Sequence, residues 1–229
     1  MNSPLLRLAG AVLLAVLAIW AGARVYWAHD THRSHPGVPV PAGEASPPNP
    51  SDLAEATPGA KIPQRLPPFS LADRSGKPTS IASFAGRSLI INFWATWCAP
   101  CRREIPLLQA LQTEWGSRGT TVVGIAVDHR DPVLEFADRF KMTYPLLIGE
   151  QDALDAAGAL GVDSPVFPFT VFTDRRGDVV ALFVGELHRP QAELILGQVQ
   201  NLNQGSIELP AARHAIAAGL EQLAPKPAG

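Results

Sequence analysis

The sequence predicts a mixed-sheet α/β sandwich with helices on both faces of the sheet. Three features predict it. The runs Ser88–Trp94 and Thr121–Val127 are apolar without alternation, as strands covered on both faces are. Each is followed by a segment whose apolar residues recur at helical spacing. Near the end, Phe169–Thr173 and Val179–Val184 flank the turn Asp174-Arg175-Arg176-Gly177, and one more helical segment closes the set.

The bulk numbers agree with a core of ordinary size. The chain has 229 residues, 46% hydrophobic and 17% charged, with a formal charge of −2. That balance gives no electrostatic reason to expect nucleic acid or an anionic surface as partner. There are only 2 cysteines, Cys98 and Cys101. Two so close in sequence cannot staple distant parts of a chain, so they are present for chemistry or for a metal.

Residues 1–30 read as a signal anchor or transmembrane helix. Leu8 to Ala23 is an unbroken run of apolar and small residues between Arg7 and Arg24, followed by Tyr26 and Trp27. Taken from Leu5 to Trp27 it reaches the roughly 20 residues that cross a bilayer, with aromatics at the far interface. Ala21-Gly22-Ala23 also fits a cleavage site, so a cleaved signal peptide is the competing reading. Residues 31–65 form a Pro-rich linker, with Pro36, Pro39, Pro41, Pro47, Pro48, Pro50, Pro58 and Pro63 set among small and polar residues. Such a segment cannot bury enough surface to offset its ordering entropy, and it reads as an extended tether.

Residues 66–202 carry the sandwich. Phe69-Ser70-Leu71 and the turn Asp73-Arg74-Ser75-Gly76 open it as a short hairpin, followed by the buried strand Ser88–Trp94. Cys98 to Glu114 is helical, with Ile105, Leu107, Leu108 and Leu111 on its apolar face and Pro106 expected to kink it. After the strand Thr121–Val127, Asp131 as N-cap and Pro132 at the first position start a helix bearing Val133, Leu134, Phe136 and Phe140. Leu146 to Ile148 is a short strand and Asp152 to Leu160 a short helix; the hairpin and a helix over Arg189–Leu202 follow. Residues 203–229 form a C-terminal tail with one further helix expected over Ala211–Leu223.

The chemistry is concentrated in Trp97-Cys98-Ala99-Pro100-Cys101, where strand runs into helix. A thiolate is the nucleophile in disulfide exchange, and an ordinary cysteine, with a pKa of about 8.5, is mostly protonated at neutral pH. A helix N-terminus directs free N–H groups and the positive end of the dipole at Cys98, favouring the anion. Cys101 lies one turn on, and Pro100 costs nothing in a first turn. Cys98 is therefore the attacking thiol and Cys101 the resolving one. A zinc half-site would need ligands that the sequence does not supply at matching spacing. An inert structural disulfide would gain little from so short a loop. A copper carrier would want a wider cysteine spacing and a positioned histidine.

The block Ile91-Asn92-Phe93-Trp94-Ala95-Thr96-Trp97-Cys98-Ala99-Pro100-Cys101-Arg102-Arg103-Glu104-Ile105-Pro106 resembles the active-site block of membrane-anchored, extracytoplasmic thioredoxin-like proteins of the TlpA and ResA type. The relatives called DsbE or CcmG are similar. The resemblance spans roughly Leu66 to Leu202 and implies a thioredoxin-like fold. It also implies a single-pass protein of the inner (cytoplasmic) membrane, with its catalytic domain facing the periplasm. Pro106 matches the family's helix-kinking proline. Phe167-Pro168-Phe169-Thr170 falls where the family has its cis-proline, whose backbone faces the dithiol and binds the incoming peptide; Pro165 is a second candidate that also reads as an ordinary loop proline. Glu104 matches the acidic residue of the ResA-type motif. Asn92 stands where general thioredoxins bury an aspartate and cannot accept a proton, so that role passes to Glu104, whose pKa should rise near Cys101. Glu104 also reads as a first-turn surface acid favoured by the dipole. The resemblance thus implies Cys98, Cys101 and Glu104 as catalytic and Trp97, Pro100, Phe167 and Pro168 as substrate contacts. Trp94 is expected beneath the dithiol. Arg102, Arg103, His129, His188 and Asp128 read as solvated, loop or structural residues.

The implied activity is protein disulfide reduction, with no cofactor besides the Cys98–Cys101 couple and no metal. Implied partners are disulfide-bearing proteins, by analogy apocytochrome c haem-attachment cysteines or copper-site thiols, and an integral-membrane thiol donor of the CcdA/DsbD kind. The lipid bilayer is engaged through the N-terminal helix. A disulfide oxidase or isomerase, and a copper metallochaperone using the same dithiol, are the alternatives. A peroxidase on this fold would want Thr or Ser where Ala95 stands and Pro where Ile91 stands.

Overall fold

The computed structural model describes residues 62–224. The anchor expected in residues 1–30 and nearly all of the linker lie outside the described residues. Among the described residues, no helix is long and apolar enough to cross a membrane.

A seven-stranded sheet organises the domain, in the order β2-β1-β5-β4-β3-β6-β7. β1 (Ser70–Asp73) and β2 (Pro78–Ser80) form the opening hairpin. A short 3-10 turn (Ile81–Phe84) follows, closed at its start by the Ser80 hydroxyl accepting from Ala82 N–H. β3 (Ser88–Trp94) pairs parallel with β4 (Thr120–Val127) on one side and antiparallel with β6 (Phe169–Thr173) on the other. β5 (Leu146–Gly149) runs parallel to β4, and β7 (Val179–Val184) is antiparallel to β6. Every residue of β3 is buried, as its continuous apolar run requires.

The helices cover both faces, as the sequence predicts. α1 (Ala99–Gly116), α2 (Arg130–Arg139), α4 (Arg189–Asn203) and α5 (Leu209–Leu223) share one core with Ile90, Trp94, Val122, Ala126 and Phe172 of the sheet. The opposite face carries α3 (Gln151–Ala159) and the 3-10 turn against Ile91, Phe93, Val123, Ile125 and Phe169. α1 contributes Ile105, Leu108 and Leu111, all fully buried, each worth roughly 1.5–3 kcal/mol of transfer free energy. α5, expected over 211–223, starts at Leu209 and seats Ala212 and Ile216 in the first core, so the packed unit continues beyond residue 202.

One sequence expectation differs in detail. α2 begins at Arg130 with His129 at the N-cap position, so Asp131 does not cap it and Pro132 is its third residue. The displacement costs little, because the first four N–H groups of a helix have no intrahelical partner. The 3-10 turn was not anticipated; four residues are too few to show a period.

One glycine sets how closely the layers approach beneath α1. A Cβ on Gly124 would lie 2.7 Å from Leu146 Cδ2, 3.0 Å from Tyr144 Cε2 and 3.2 Å from Trp94 Nε1. Gly124→Ala is therefore expected to cost about 1–3 kcal/mol through overpacking, read as a lower urea midpoint with an unchanged slope.

Candidate active site

β3 ends at Trp94, and the chain turns through Ala95–Trp97 into α1. Asp128, at the end of the adjacent β4, holds that turn: its Oδ2 accepts from Thr96 N–H at 3.1 Å and from the Thr96 hydroxyl, while Oδ1 accepts from His129 N–H. Cys98 is the N-cap of α1, with extended backbone angles and its sulfur accepting from Cys101 N–H at 3.2 Å. This is the helix-terminus geometry in which free N–H groups and the dipole favour a sulfur anion. Pro100 lies within the first turn and Pro106 inside the helix. The two sulfurs are bonded at 2.02 Å, with Cα atoms 5.3 Å apart. Cys101 is wholly buried and Cys98 is 5% exposed.

The surface around Cys98 is apolar and open. Trp97 is 68% exposed, and its ring meets the edge of Phe167 at 6.1 Å between centroids. Phe167 in turn stacks on Phe169. The Phe167–Pro168 peptide is cis, whereas the bond before Pro165 is not. The last backbone bond between β7 and this segment runs from Gly185 N–H to the Pro168 carbonyl, so Phe167 lies just beyond the ladder, with Val166 exposed beside it. Trp94 is fully buried, with its ring 5.3 Å from Phe136.

One turn beyond Cys101 on α1 lies Glu104, 2% exposed, so it is not a surface acid. Its Oε1 accepts from Asn92 Nδ2 at 2.8 Å and its Oε2 from Leu187 N–H at 2.8 Å. The Asn92 amide also donates to the Thr170 hydroxyl at 3.0 Å, which fixes its orientation. Burial pushes the Glu104 carboxyl up to about 7; the Leu187 and Asn92 donors pull against that, and the nearby Glu186 charge adds to it. A carboxyl with such a pKa can take or give a proton at neutral pH.

The sequence-predicted residues Cys98, Cys101, Glu104, Trp97, Pro100, Phe167 and Pro168 thus fall in one region, around the N-terminus of α1 and the segment leading into β6. Two contributors, Leu187 and Glu186, escape sequence reasoning. Leu187 acts through its backbone N–H, which no side chain advertises. Glu186 grips Arg103 with Nε contacts of 3.1 and 2.9 Å, so Arg103 is not merely solvated. Asp128 is structural, as expected, and its partner is Thr96. Among the described residues, no group of three or more His, Cys, Asp or Glu side chains is placed to hold a metal ion.

Comparison with known proteins agrees with this geometry. The family model described as Redoxin matches residues 39–196. Thioredoxin-like protein YneN of Bacillus subtilis (strain 168) is 32% identical over 136 residues, 57% of this chain and 75% of that protein. Thiol-disulfide oxidoreductase ResA of Geobacillus kaustophilus (strain HTA426) is 30% identical over 135 residues, 58% of this chain and 75% of its own. The crystal structure of a secreted thiol-disulfide isomerase from Corynebacterium glutamicum superposes with a TM-score of 0.52 at 29% identity, covering 56% of this chain and 80% of that one.

The Glu104 environment predicts a pH-dependent stability. With the folded-state pKa raised from 4.5 to about 7, the folded protein binds more protons than the unfolded chain between those values. Stability of the oxidised protein should therefore fall as pH rises through that window, by on the order of 3 kcal/mol, and level off above it. Urea denaturation at a series of pH values should show this slope in the wild type and lose it in Glu104→Gln.

Proposed function

The chain belongs to the Redoxin family, and from that premise we propose that it is an extracytoplasmic protein disulfide reductase of the ResA kind. A thiol–disulfide oxidoreductase activity follows from the family together with its Cys-X-X-Cys disulfide. The observation that carries the reductase reading is the buried, protonatable Glu104 carboxyl one turn beyond a dithiol that caps a helix.

In this scheme the reduced protein meets a partner disulfide with Cys98 as thiolate. The Cys98 sulfur attacks, one partner sulfur leaves as thiolate, and a mixed disulfide remains. The Cys101 thiol then gives its proton to the Glu104 carboxylate, and the Cys101 sulfur attacks Cys98. The Cys98–Cys101 bond forms, the bond to the partner breaks, and the second partner thiolate leaves. Two electrons pass from this dithiol to the partner, and no cofactor besides the dithiol takes part. Trp97, Pro100, Phe167 and Pro168 receive the partner chain: the exposed indole and the phenyl edge offer apolar contact, and the Phe167 backbone lies beyond the last β6–β7 bond, at the Pro168 carbonyl.

The direction rests on the Ala-Pro dipeptide between the cysteines, which lacks the histidine of strongly oxidising centres, and on Glu104. The partners we propose are apocytochrome c haem-attachment cysteines or copper-site thiols. Electrons are resupplied by an integral-membrane thiol carrier of the CcdA/DsbD kind, since glutathione does not serve an oxidising compartment. Residues 1–30 hold the protein in the cytoplasmic membrane, with the domain on its outer face and 31–65 as tether.

Cys101→Ser should stall the exchange and accumulate a mixed disulfide on Cys98 that mass spectrometry identifies, while Cys98→Ser yields none. Absence of any adduct from Cys101→Ser in cells contradicts the exchange scheme. The reduction potential of the couple should lie well below that of strong oxidants; a value near −120 mV would reverse the assigned direction.

A further inference from the structure

Three consecutive residues between β7 and α4 bond to Pro168, Arg103 and Glu104 in turn. Gly185 N–H donates to the Pro168 carbonyl at 2.8 Å. The Glu186 carboxylate takes the Arg103 guanidinium on both oxygens, and Leu187 N–H donates to Glu104 Oε2 at 2.8 Å. The bridge bends sharply at its start, where Gly185 has φ +104°, a conformation other residues rarely adopt. Arg103 precedes Glu104 on α1, so the ion pair fastens the bridge to the helix at the residue beside the buried acid. The Glu186 side chain is 19% exposed and Arg103 61%, so the pair closes the bridge on its solvent side.

We propose that Glu186 is a positioning residue for the resolving step: its pairing with Arg103 pins the Gly185–Leu187 bridge so that the Leu187 N–H meets the Glu104 carboxyl. This rests on the reading of Glu104 as the acceptor of the Cys101 proton. The other groups around Glu104 do not supply the same control. Asn92 and Thr170 on the sheet are neutral and approach the other carboxyl oxygen. Tyr144 is a phenol whose burial pushes it far above its ordinary value, so it stays neutral. On α4, His188 is exposed, and Arg189 is engaged with Glu114 and Glu193.

The test uses the full-length reduced protein and Ellman's reagent. Attack by Cys98 releases one thionitrobenzoate; attack by Cys101 on the mixed disulfide releases a second, so the second phase isolates resolution. Its rate rises with pH as Glu104 becomes a carboxylate. Glu186→Ala and Arg103→Ala each loosen the Leu187 donor and should shift the midpoint of that rise upward by about half a pH unit or more. The charge-exchanged pair, Arg103→Glu with Glu186→Arg, should return it toward the wild-type value. A downward shift in Glu186→Ala would show that only its charge is felt, and overturns the positioning role, as does an unshifted midpoint in both single variants. Glu104→Gln separates this from the parent reading. A flattened second phase in Glu104→Gln beside unshifted Glu186→Ala and Arg103→Ala overturns the positioning role alone. A wild-type second phase in Glu104→Gln overturns the proton-acceptor reading and the positioning role with it.

Discussion

A carboxyl group taken out of water must keep its proton or be met by donors, and at Glu104 both conditions nearly balance. Burial favours the acid, two N–H donors favour the carboxylate, and the outcome is a pKa of about 7. That balance needs four separate pieces of chain in register: α1 to carry the carboxyl, β3 and β6 to supply and orient the Asn92 amide, and the β7–α4 connection to supply Leu187 N–H. The rest of the site is arranged around the same point. Cys101 is one turn earlier on α1, and Cys98 begins the helix.

The sheet makes this convergence possible. β3 is central and buried on both faces, so its C-terminal end is a fixed platform from which the chain can turn directly into α1. Asp128 on β4 braces that turn through Thr96. On the other side, β6 enters the sheet immediately after the cis Phe167–Pro168 bond, placing that segment beside Trp97. One end of the sheet thus carries the exposed Trp97 and Val166, while the Glu104 carboxyl is sealed inside.

Much of this was legible in the sequence where the signal is local. The apolar runs of β3 and β4, the Asp174–Gly177 hairpin and the cysteine pair declare themselves through spacing alone. A raised Glu104 pKa is expected from the motif resemblance; its cause is the burial of the carboxyl itself. What escaped was contact across long separations: Leu187 and Glu104 are 83 residues apart, and Thr96 and Asp128 are 32 apart. A backbone N–H looks the same at every residue, so nothing in the sequence marks Leu187 as a donor. Arg103 looked solvated because its partner, Glu186, is brought to it only by the return of β7. The start of α2 moved for a different reason: a cap is one hydrogen bond among many, and the packing of Val133, Phe136 and Ala137 determines where the helix lies.

Carbon-13 NMR of the oxidised protein, following the Glu104 side-chain carboxyl through a pH titration, measures the central quantity without involving any partner. The account predicts a midpoint near 7, far from the 4.5 of an ordinary glutamate. A midpoint at 4.5 would leave the Glu104 carboxylate too weak a base to take the Cys101 thiol proton efficiently at neutral pH, and would contradict it.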